Sequence, residues 1–118
     1  MARRSAYYLL VHLVLTGPDT VSAGEIFASG LQQLGRAQIV GQPSAGNTEN
    51  LLAEDFEDGS RVWLAELVFY QANGTIIEGT GVQPNRVVAG DWWRFDIPDD
   101  PQVLAAIEVL HGSTVTQH

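Results

Sequence analysis

Ser22 and Glu25 stand out in residues 17–27, GPDTVSAGEIF, as side chains that could take part in a reaction. Ser22 is followed three positions later by Glu25, which is the spacing of a capping box at the start of a helix. A serine hydroxyl at this point can cap the helix. It can also act as a nucleophile, because the positive end of the helix dipole favours the negative charge that develops near it. The spacing alone favours the cap and leaves the nucleophile open.

A strand, a helix and a second strand are predicted around this serine. Residues 6–15 are apolar, aromatic and β-branched, which is typical of a strand buried on both faces. The helix begins at Ser22 and ends at Gly35, and residues 37–41 form the next strand, so the segment predicts a parallel βαβ unit in an α/β fold. The expected buried stripe of the helix consists of Ala23, Ile26, Phe27, Gly30, Leu31 and Leu34.

Turn residues divide the rest of the chain into short elements. Residues 42–50, QPSAGNTEN, predict a loop at the carboxyl edge of the sheet, where sites form in open α/β proteins. Strands at 51–56 and 61–71 flank an Asp-Gly hairpin turn, and Asn73-Gly74 makes another turn. A last strand is expected at 86–90 and a C-terminal helix at 101–110, followed by a frayed tail at 112–118. The apolar stripe of that helix is Val103, Leu104, Ile107, Val109 and Leu110.

Composition indicates one globular domain and excludes several classes of protein. The 118 residues carry a net charge of −8, which disfavours binding to nucleic acid. The absence of cysteine and the scatter of three histidines argue against a metal site, and nothing points to a cofactor. Arg3 and Arg4 before the apolar run imitate an export signal, but His12 interrupts the run, which is also too short for a membrane span.

The order of the motifs carries a resemblance to a known family. Two successive segments resemble the carboxyl half of the catalytic domain of the tail-specific, or C-terminal processing, serine peptidases. The first is GPDTVSAGEIFASGLQQLGRAQIVGQPSAGN, and the second is DGSRVWLAELVFYQANGTIIEGTGVQPN. The resemblance covers roughly residues 13–110. It implies the carboxyl half of an α/β spiral fold of the ClpP/crotonase type. It also implies that Ser22 is the nucleophile, that the Ala23 N–H is an oxyanion-hole donor, and that four further residues bind substrate: Gly24, Ala45, Gly46 and Asn47.

One departure from the family pattern concerns the general base. Members with a Ser-Lys dyad carry the lysine at the position of Asn47, and all six basic residues other than histidine in this chain are arginine. Because arginine does not release its proton near neutral pH, that dyad is excluded. The chain is more similar to the branch of the tricorn protease core and the retinoid-binding repeats, which uses histidine with an acidic partner. The resemblance implies that Glu78 is that acidic residue.

The family's histidine lies upstream, in a half-domain for which this sequence has no counterpart. His12 stands ten residues before Ser22 on the predicted strand, which places it about 30 Å away if the chain is extended. His111 is expected to interact with the C-terminal end of a helix, and His118 lies in the predicted tail. We therefore expect a peptidase subdomain that has little activity alone and acts on a peptide or protein. It would associate with an upstream half-domain or with further copies of itself.

Two other interpretations stay open. The chain could be a non-catalytic ligand- or peptide-binding module of the same fold, because the missing histidine fits that function equally well. It could also be an unrelated α/β domain in which Ser22 does no more than cap a helix, and a buried hydroxyl would identify that case.

Overall fold

The computed structural model describes residues 12–114, which form one mixed α/β unit. Two single turns of 3₁₀ helix, at Trp92–Arg94 and Ile97–Asp99, precede the last helix. The strands and helices in chain order are β1 (His12–Thr16), α1 (Ala23–Gln33), β2 (Ala37–Gly41), β3 (Asn50–Asp55), β4 (Arg61–Leu67), β5 (Arg86–Val87) and α2 (Pro101–Thr114).

The central sheet has three parallel strands in the order β1-β2-β5. β1 and β2 are joined by α1, so the predicted βαβ unit is confirmed. Ile39 and Val40 are both fully buried, and since neighbouring side chains on a strand point to opposite faces, both faces of β2 are covered. Ile39 belongs to the core cluster with Ala28, Ile77 and Val82. Helix α1 packs against β2, and α2 packs against β1 and β2.

The first strand is less buried than its composition predicts. Leu15 is 40% exposed, so the expectation of a strand buried on both faces is wrong at this position. The physical reason is position in the sheet, because β1 is an edge strand that pairs only with β2 among residues 12–114. The predicted strand began at residue 6, and residues 6–11 lie outside the described part of the chain.

Helix α1 is rotated relative to the prediction. Its buried residues are Glu25, Ala28 and Ser29, whereas Phe27 is 62% exposed and Leu34 73% exposed. The predicted apolar stripe of Ala23, Ile26, Phe27, Gly30, Leu31 and Leu34 is therefore wrong as the buried face. Glu25 explains the rotation, because its carboxylate is drawn into the loop after β2, and residues three and four positions along then share its face.

The local signals that end elements are confirmed. Gly35 adopts a left-handed φ of 63° after α1, and the N–H groups of Gly35 and Arg36 donate to the carbonyls of Gln32 and Leu31, as in a Schellman motif. In the hairpin between β3 and β4, Gly59 has a φ of 83° and the Asp58 carboxylate accepts from the Ser60 N–H at 2.9 Å. These turns use residues that tolerate or support the required backbone angles.

The C-terminal helix begins where predicted and extends further. Asp100 Oδ1 accepts from the N–H of Gln102 at 2.7 Å, and Pro101 occupies the first helical position. The buried residues of α2 include Gln102, Ala105 and Ala106, so the stripe of larger apolar residues predicted to dock is wrong as the buried face. The helix runs to Thr114 and thus past the predicted end at residue 110, while residues 115–118 lie outside the description.

Within residues 12–114, neither helix is long and apolar enough to cross a membrane.

Candidate active site

Ser22 stands at the N-cap of α1, exposed, with a backbone that few residues adopt. Its φ of 53° and ψ of −120° make it the one non-glycine residue with positive φ in the described chain. Such a conformation costs on the order of 1–3 kcal/mol and persists only when surrounding contacts impose it. Here they do, because the Ser22 N–H lies 2.8 Å from the carbonyl oxygen of Asn47 and 3.0 Å from Glu25 Oε2. The exposure argues against an unrelated domain with a buried capping serine.

The amide groups beside Ser22 differ in what they bind. The Gly24 N–H donates to the Val21 carbonyl at 3.0 Å, and the Glu25 N–H donates to the Ser22 carbonyl at 3.0 Å. The Ala23 N–H has no hydrogen-bond acceptor among residues 12–114. Ala23 is exposed and is the first residue of the helix, where N–H groups have no partner within the helix. One unused donor therefore points from the positive end of α1 next to the Ser22 hydroxyl.

Glu25 is fully buried and its two carboxylate oxygens accept four hydrogen bonds. Oε1 accepts from the Ser44 hydroxyl at 2.5 Å and the Gly46 N–H at 2.6 Å. Oε2 accepts from the N–H groups of Asn47 at 2.9 Å and Ser22 at 3.0 Å. The sequence predicts that Glu25 is a capping carboxylate. In the structure its hydrogen bonds also link the loop after β2 to the start of α1.

The loop after β2 packs against residues 77–82 through backbone groups. Gly46, with a φ of 74°, is buried so closely that a Cβ atom would stand 2.7 Å from the Gly81 nitrogen. Its carbonyl accepts from the Gly79 N–H at 2.8 Å, and the Ser44 hydroxyl accepts from the Val82 N–H at 2.6 Å. Sequence reasoning passed over Ser44, although its place in the Ser-Ala-Gly series marks it as part of this loop.

The four residues expected to bind substrate lie around Ser22. Gly24, Ala45 and Asn47 are exposed, and Gly46 is buried in the loop packing. Ala45 donates its N–H to the Thr20 carbonyl at 3.0 Å, which fixes the loop against the segment that leads to Ser22. Gly46 takes the positive φ in this loop, and Asn47 does not adopt a left-handed conformation. The substrate-binding function of these residues stays a prediction.

Glu78 lies on the other side of the same loop. Its Oε2 accepts from the Thr48 N–H at 2.6 Å and from the Thr48 hydroxyl at 3.0 Å. The Thr48 N–H is the main cause that holds the pKa of Glu78 below its ordinary value of 4.5, with the Thr48 hydroxyl and Glu49 adding to it against partial desolvation. Glu49 Oε2 is buried without a hydrogen-bond partner among the described residues. Sequence reasoning passed over Thr48 and Glu49, which carry no motif of their own.

The structure links Ser22 and Glu78 indirectly. Ser22 bonds to Asn47, and Thr48, the next residue, bonds to Glu78, so one short loop holds both groups. His12 begins β1, and the placement of its side chain lies outside the description; His111 lies in the last turn of α2. His118 lies outside the described residues.

Comparison with known proteins identifies the family to which this chain belongs. The family model described as peptidase family S41 matches residues 5–88, a span that contains Ser22, the loop after β2 and Glu78. The chain belongs to peptidase family S41. The predicted membership of the C-terminal processing serine peptidases is therefore confirmed, and the keywords hydrolase, protease and serine peptidase apply to its family.

Curated relatives and solved structures agree with this S41 assignment. The chain is 31% identical over 111 residues to the carboxyl-terminal-processing protease of Synechocystis sp., covering 90% of this chain. The structure of the photosystem II D1 C-terminal processing protease superimposes with a TM-score of 0.61 at 28% identity over 81% of this chain. The tricorn protease superimposes with a TM-score of 0.70 at 20% identity over 86% of the chain, which shows a shared fold.

The S41 chain spans about a quarter or less of the length of these proteins. It covers 26% of the Synechocystis protease, 24% of the D1 processing protease and 10% of the tricorn protease.

Proposed function

We propose that this chain is the nucleophile-bearing part of an S41 serine peptidase, with Ser22 as the nucleophile. The observation that carries the proposal is the exposed Ser22, held at φ 53° at the N-terminus of α1 beside the unused Ala23 N–H. A capping serine needs no such strain. A nucleophile benefits from it, because the conformation presents the hydroxyl outward while the helix end faces the charge that develops on the substrate.

In the proposed reaction the Ser22 Oγ attacks the carbonyl carbon of a peptide bond and its proton passes to a general base. The carbonyl oxygen becomes an oxyanion that accepts a hydrogen bond from the Ala23 N–H. One such donor stabilises the transition state by about 3 kcal/mol. The amine then leaves with the proton, and water hydrolyses the acyl-serine to regenerate the hydroxyl.

The general base comes from outside the described residues, and Glu78 supports it. The lowered pKa of Glu78 keeps its carboxylate ionised near neutral pH, which suits a group that orients or stabilises a protonated histidine. Thr48 donates both of its hydrogen bonds to Glu78 Oε2, which fixes this carboxylate beside the loop that holds Ser22. This fits the branch of the family that lacks the lysine, because Asn47 stands at the position of that lysine in this chain.

We further propose that the fold is the carboxyl half of a crotonase-like spiral domain. Large apolar side chains on both faces of the β3–β4 hairpin support it. Leu51 and Trp63 lie on one face and are 48% and 57% exposed, while Leu52 and Leu64 lie on the other and are 44% and 52% exposed. A two-stranded ribbon is marginal in water by itself. An upstream half-domain, or another copy of the chain, would cover these faces and supply the base.

Peptide hydrolysis by the native assembly tests the proposed function. Ser22→Ala is expected to lower kcat/KM at least about 10³-fold, because the nucleophile is lost. Ser60→Ala, which changes a serine in the exposed hairpin turn, is the matched control and should leave the rate unchanged. Retained hydrolysis in Ser22→Ala would refute the assignment. Absence of hydrolysis in the complete wild-type assembly would instead favour a binding module of the same fold.

A further inference from the structure

A pocket of about 370 Å³ opens beside the candidate active site and is distinct from the Ser22 hydroxyl itself. Its volume lies at the lower end of the range for ligand sites. The pocket is formed by the end of β1, the loop that leads to Ser22, and the segment between β5 and α2. Its lining includes Asp19, Thr20, Asp91, Trp92, Trp93 and Asp100.

The walls of the pocket are braced by hydrogen bonds that cross between elements. The side-chain amides of Gln42 and Gln102 both donate to the carbonyl of Gly90, at 2.9 Å and 3.4 Å. The Gln42 N–H donates to the Thr16 carbonyl at 2.9 Å, and the Thr16 hydroxyl donates back to the Gln42 carbonyl at 2.8 Å. The pocket is therefore held in shape by its own walls, as pre-formed ligand sites are.

The charge of the pocket is negative. Three aspartates line it, and lysine, arginine and histidine are absent from its lining residues. Asp91 is paired with Arg94 at 2.8 Å, and Asp100 Oδ1 caps α2. Asp19 is exposed and has no hydrogen bond or ion pair with another residue of the range 12–114. Among residues 12–114, Asp19 is therefore a lining acidic residue with no paired cation.

Two indole rings stand at the same opening. Trp92 and Trp93 are 62% and 61% exposed, and their rings meet edge to face at a centroid distance of 5.9 Å. At this exposure much of the apolar surface of each ring faces solvent, and a bound ligand could cover it. Faces of tryptophan attract cations, and a nearby carboxylate adds a charge-assisted hydrogen bond.

We propose that this pocket binds the basic side chain, lysine or arginine, of a peptide. The alkyl stem of such a side chain packs on the tryptophans while its cationic end meets Asp19. Thr20 lines the pocket and is two residues from Ser22, so the two Cα atoms are at most about 7 Å apart. A peptide whose basic side chain fills the pocket therefore passes the Ser22 hydroxyl. That last step rests on the proposed function, whereas binding of the basic side chain does not.

Tryptophan fluorescence tests the pocket directly. In a Trp63→Phe background, which removes the hairpin tryptophan, the emission reports Trp92 and Trp93 alone. The complete chain is titrated with acetyl-Ala-Lys-Ala-amide, with the same peptide containing arginine, and with its norleucine analogue, which keeps the stem and lacks the charge. We expect saturable changes for the basic peptides and binding of norleucine at least about fivefold weaker, from the loss of one cation–π and ion-pair contact.

Single substitutions assign that binding to the pocket. Asp19→Asn and Trp92→Leu should each weaken binding of the lysine peptide about fivefold. Glu57→Gln, which removes an exposed charge from the hairpin turn, is the matched control and should have no effect. Equal binding of the lysine and norleucine peptides, a comparison that needs no substitution in the pocket, would overturn the proposal. Equal effects of Asp19→Asn and Glu57→Gln would also overturn it.

Two further measurements distinguish binding of a basic peptide side chain from binding of free cations and from the function of Ser22. n-Butylammonium should bind more weakly than the lysine peptide, and equal binding would show that the pocket takes free cations and would overturn the peptide assignment. Ser22→Ala should abolish hydrolysis in the native assembly and keep binding of the lysine peptide. A failure of the nucleophile and a failure of the pocket are thus distinguishable.

Discussion

At the scale of single residues, Glu25 organises the candidate site although it need not touch substrate. Its buried carboxylate accepts hydrogen bonds from Ser22, Ser44, Gly46 and Asn47, which belong to two separate segments. Hydrogen bonds to a charged acceptor contribute more than neutral ones, and a buried donor left without a partner costs about 1–3 kcal/mol. Glu25 is therefore a positioning residue for Ser22.

Replacing Glu25 with glutamine should destabilise the chain by about 3 kcal/mol. The amide keeps the size of the side chain, but its NH₂ group faces donors that previously met a carboxylate oxygen. The measurement is urea denaturation of the wild type and of Glu25→Gln. Glu57→Gln, exposed in the hairpin turn, serves as control and should change stability by less than about 0.5 kcal/mol. An equal midpoint for the two variants would contradict this function of Glu25.

Glu78 adds a pH dependence whose sign follows from its environment. Its pKa in the folded chain is lowered, mainly by the Thr48 N–H, from an ordinary value of 4.5. As pH falls, the unfolded chain therefore binds a proton at Glu78 before the folded chain does. The stabilising effect of the lowered pKa is present above about pH 4.5 and is lost as pH falls through the lower folded value.

Glu78→Gln should remove this component of the acid transition. Stability curves between pH 3 and pH 7 are expected to fall less steeply below about pH 4.5 in Glu78→Gln than in the wild type. Glu66→Gln, on the exposed face of β4, is the matched control and should keep the wild-type slope. A wild-type slope in Glu78→Gln would mean that the Thr48 contacts do not stabilise the ionised form.

At the scale of elements, two glycines separate backbone conformation from packing. Gly30 lies inside α1 with ordinary helical angles and open space around a notional Cβ, whereas Gly46 combines a positive φ with backbone atoms 2.7 Å and 2.8 Å from that position. Gly30→Ala is expected to stabilise the chain by about 0.5–1 kcal/mol, and Gly46→Ala to destabilise it by on the order of 3 kcal/mol. Thermal unfolding of both variants measures the contrast, and destabilisation by Gly30→Ala would contradict the placement of α1.

Local signals made much of the element order predictable. The strand at Ala37–Gly41, the glycine that ends α1 and the Asp-Gly hairpin depend on a few neighbouring residues, and all three are confirmed. The buried faces of both helices could not be predicted in the same way. In α1 the rotation is set by Glu25, whose partners lie about twenty residues away in the loop after β2. The spacing of apolar residues along a helix does not predict such a contact.

The candidate site shows the same division. Ser22 and Ala23 could be named from a short motif because the helix start is local. Three further residues, Ser44, Thr48 and Glu49, could not be identified from the sequence, because their contacts form only in the fold. Ser44 contacts Glu25 and Val82. Thr48 and Glu49 contact Glu78.

At the scale of the whole molecule, uncovered apolar surface is the main feature to explain. Phe27, Leu34 and Trp63 are each more than half exposed, on α1 and on the hairpin. Contiguous apolar patches on soluble proteins mark surfaces of interaction.

The isolated chain should therefore self-associate. Sedimentation velocity is expected to show an average mass that rises with concentration, in spite of the net charge of −8 that opposes association. Replacing exposed Leu64 with threonine, which suits a strand and is polar, should shift the distribution towards the monomer. A monomer at all concentrations would contradict the covering of these faces by a second copy and leave an upstream half-domain as the partner.

Covalent labelling of the native assembly tests whether Ser22 is the nucleophile. The assembly is treated with a fluorophosphonate probe and the adduct is located by mass spectrometry of its peptides. We expect one adduct per chain on the Ser22 Oγ, lost in Ser22→Ala and kept in Ser60→Ala. An adduct on another serine, or an unlabelled Ser22 in an assembly that contains the general base, would contradict it.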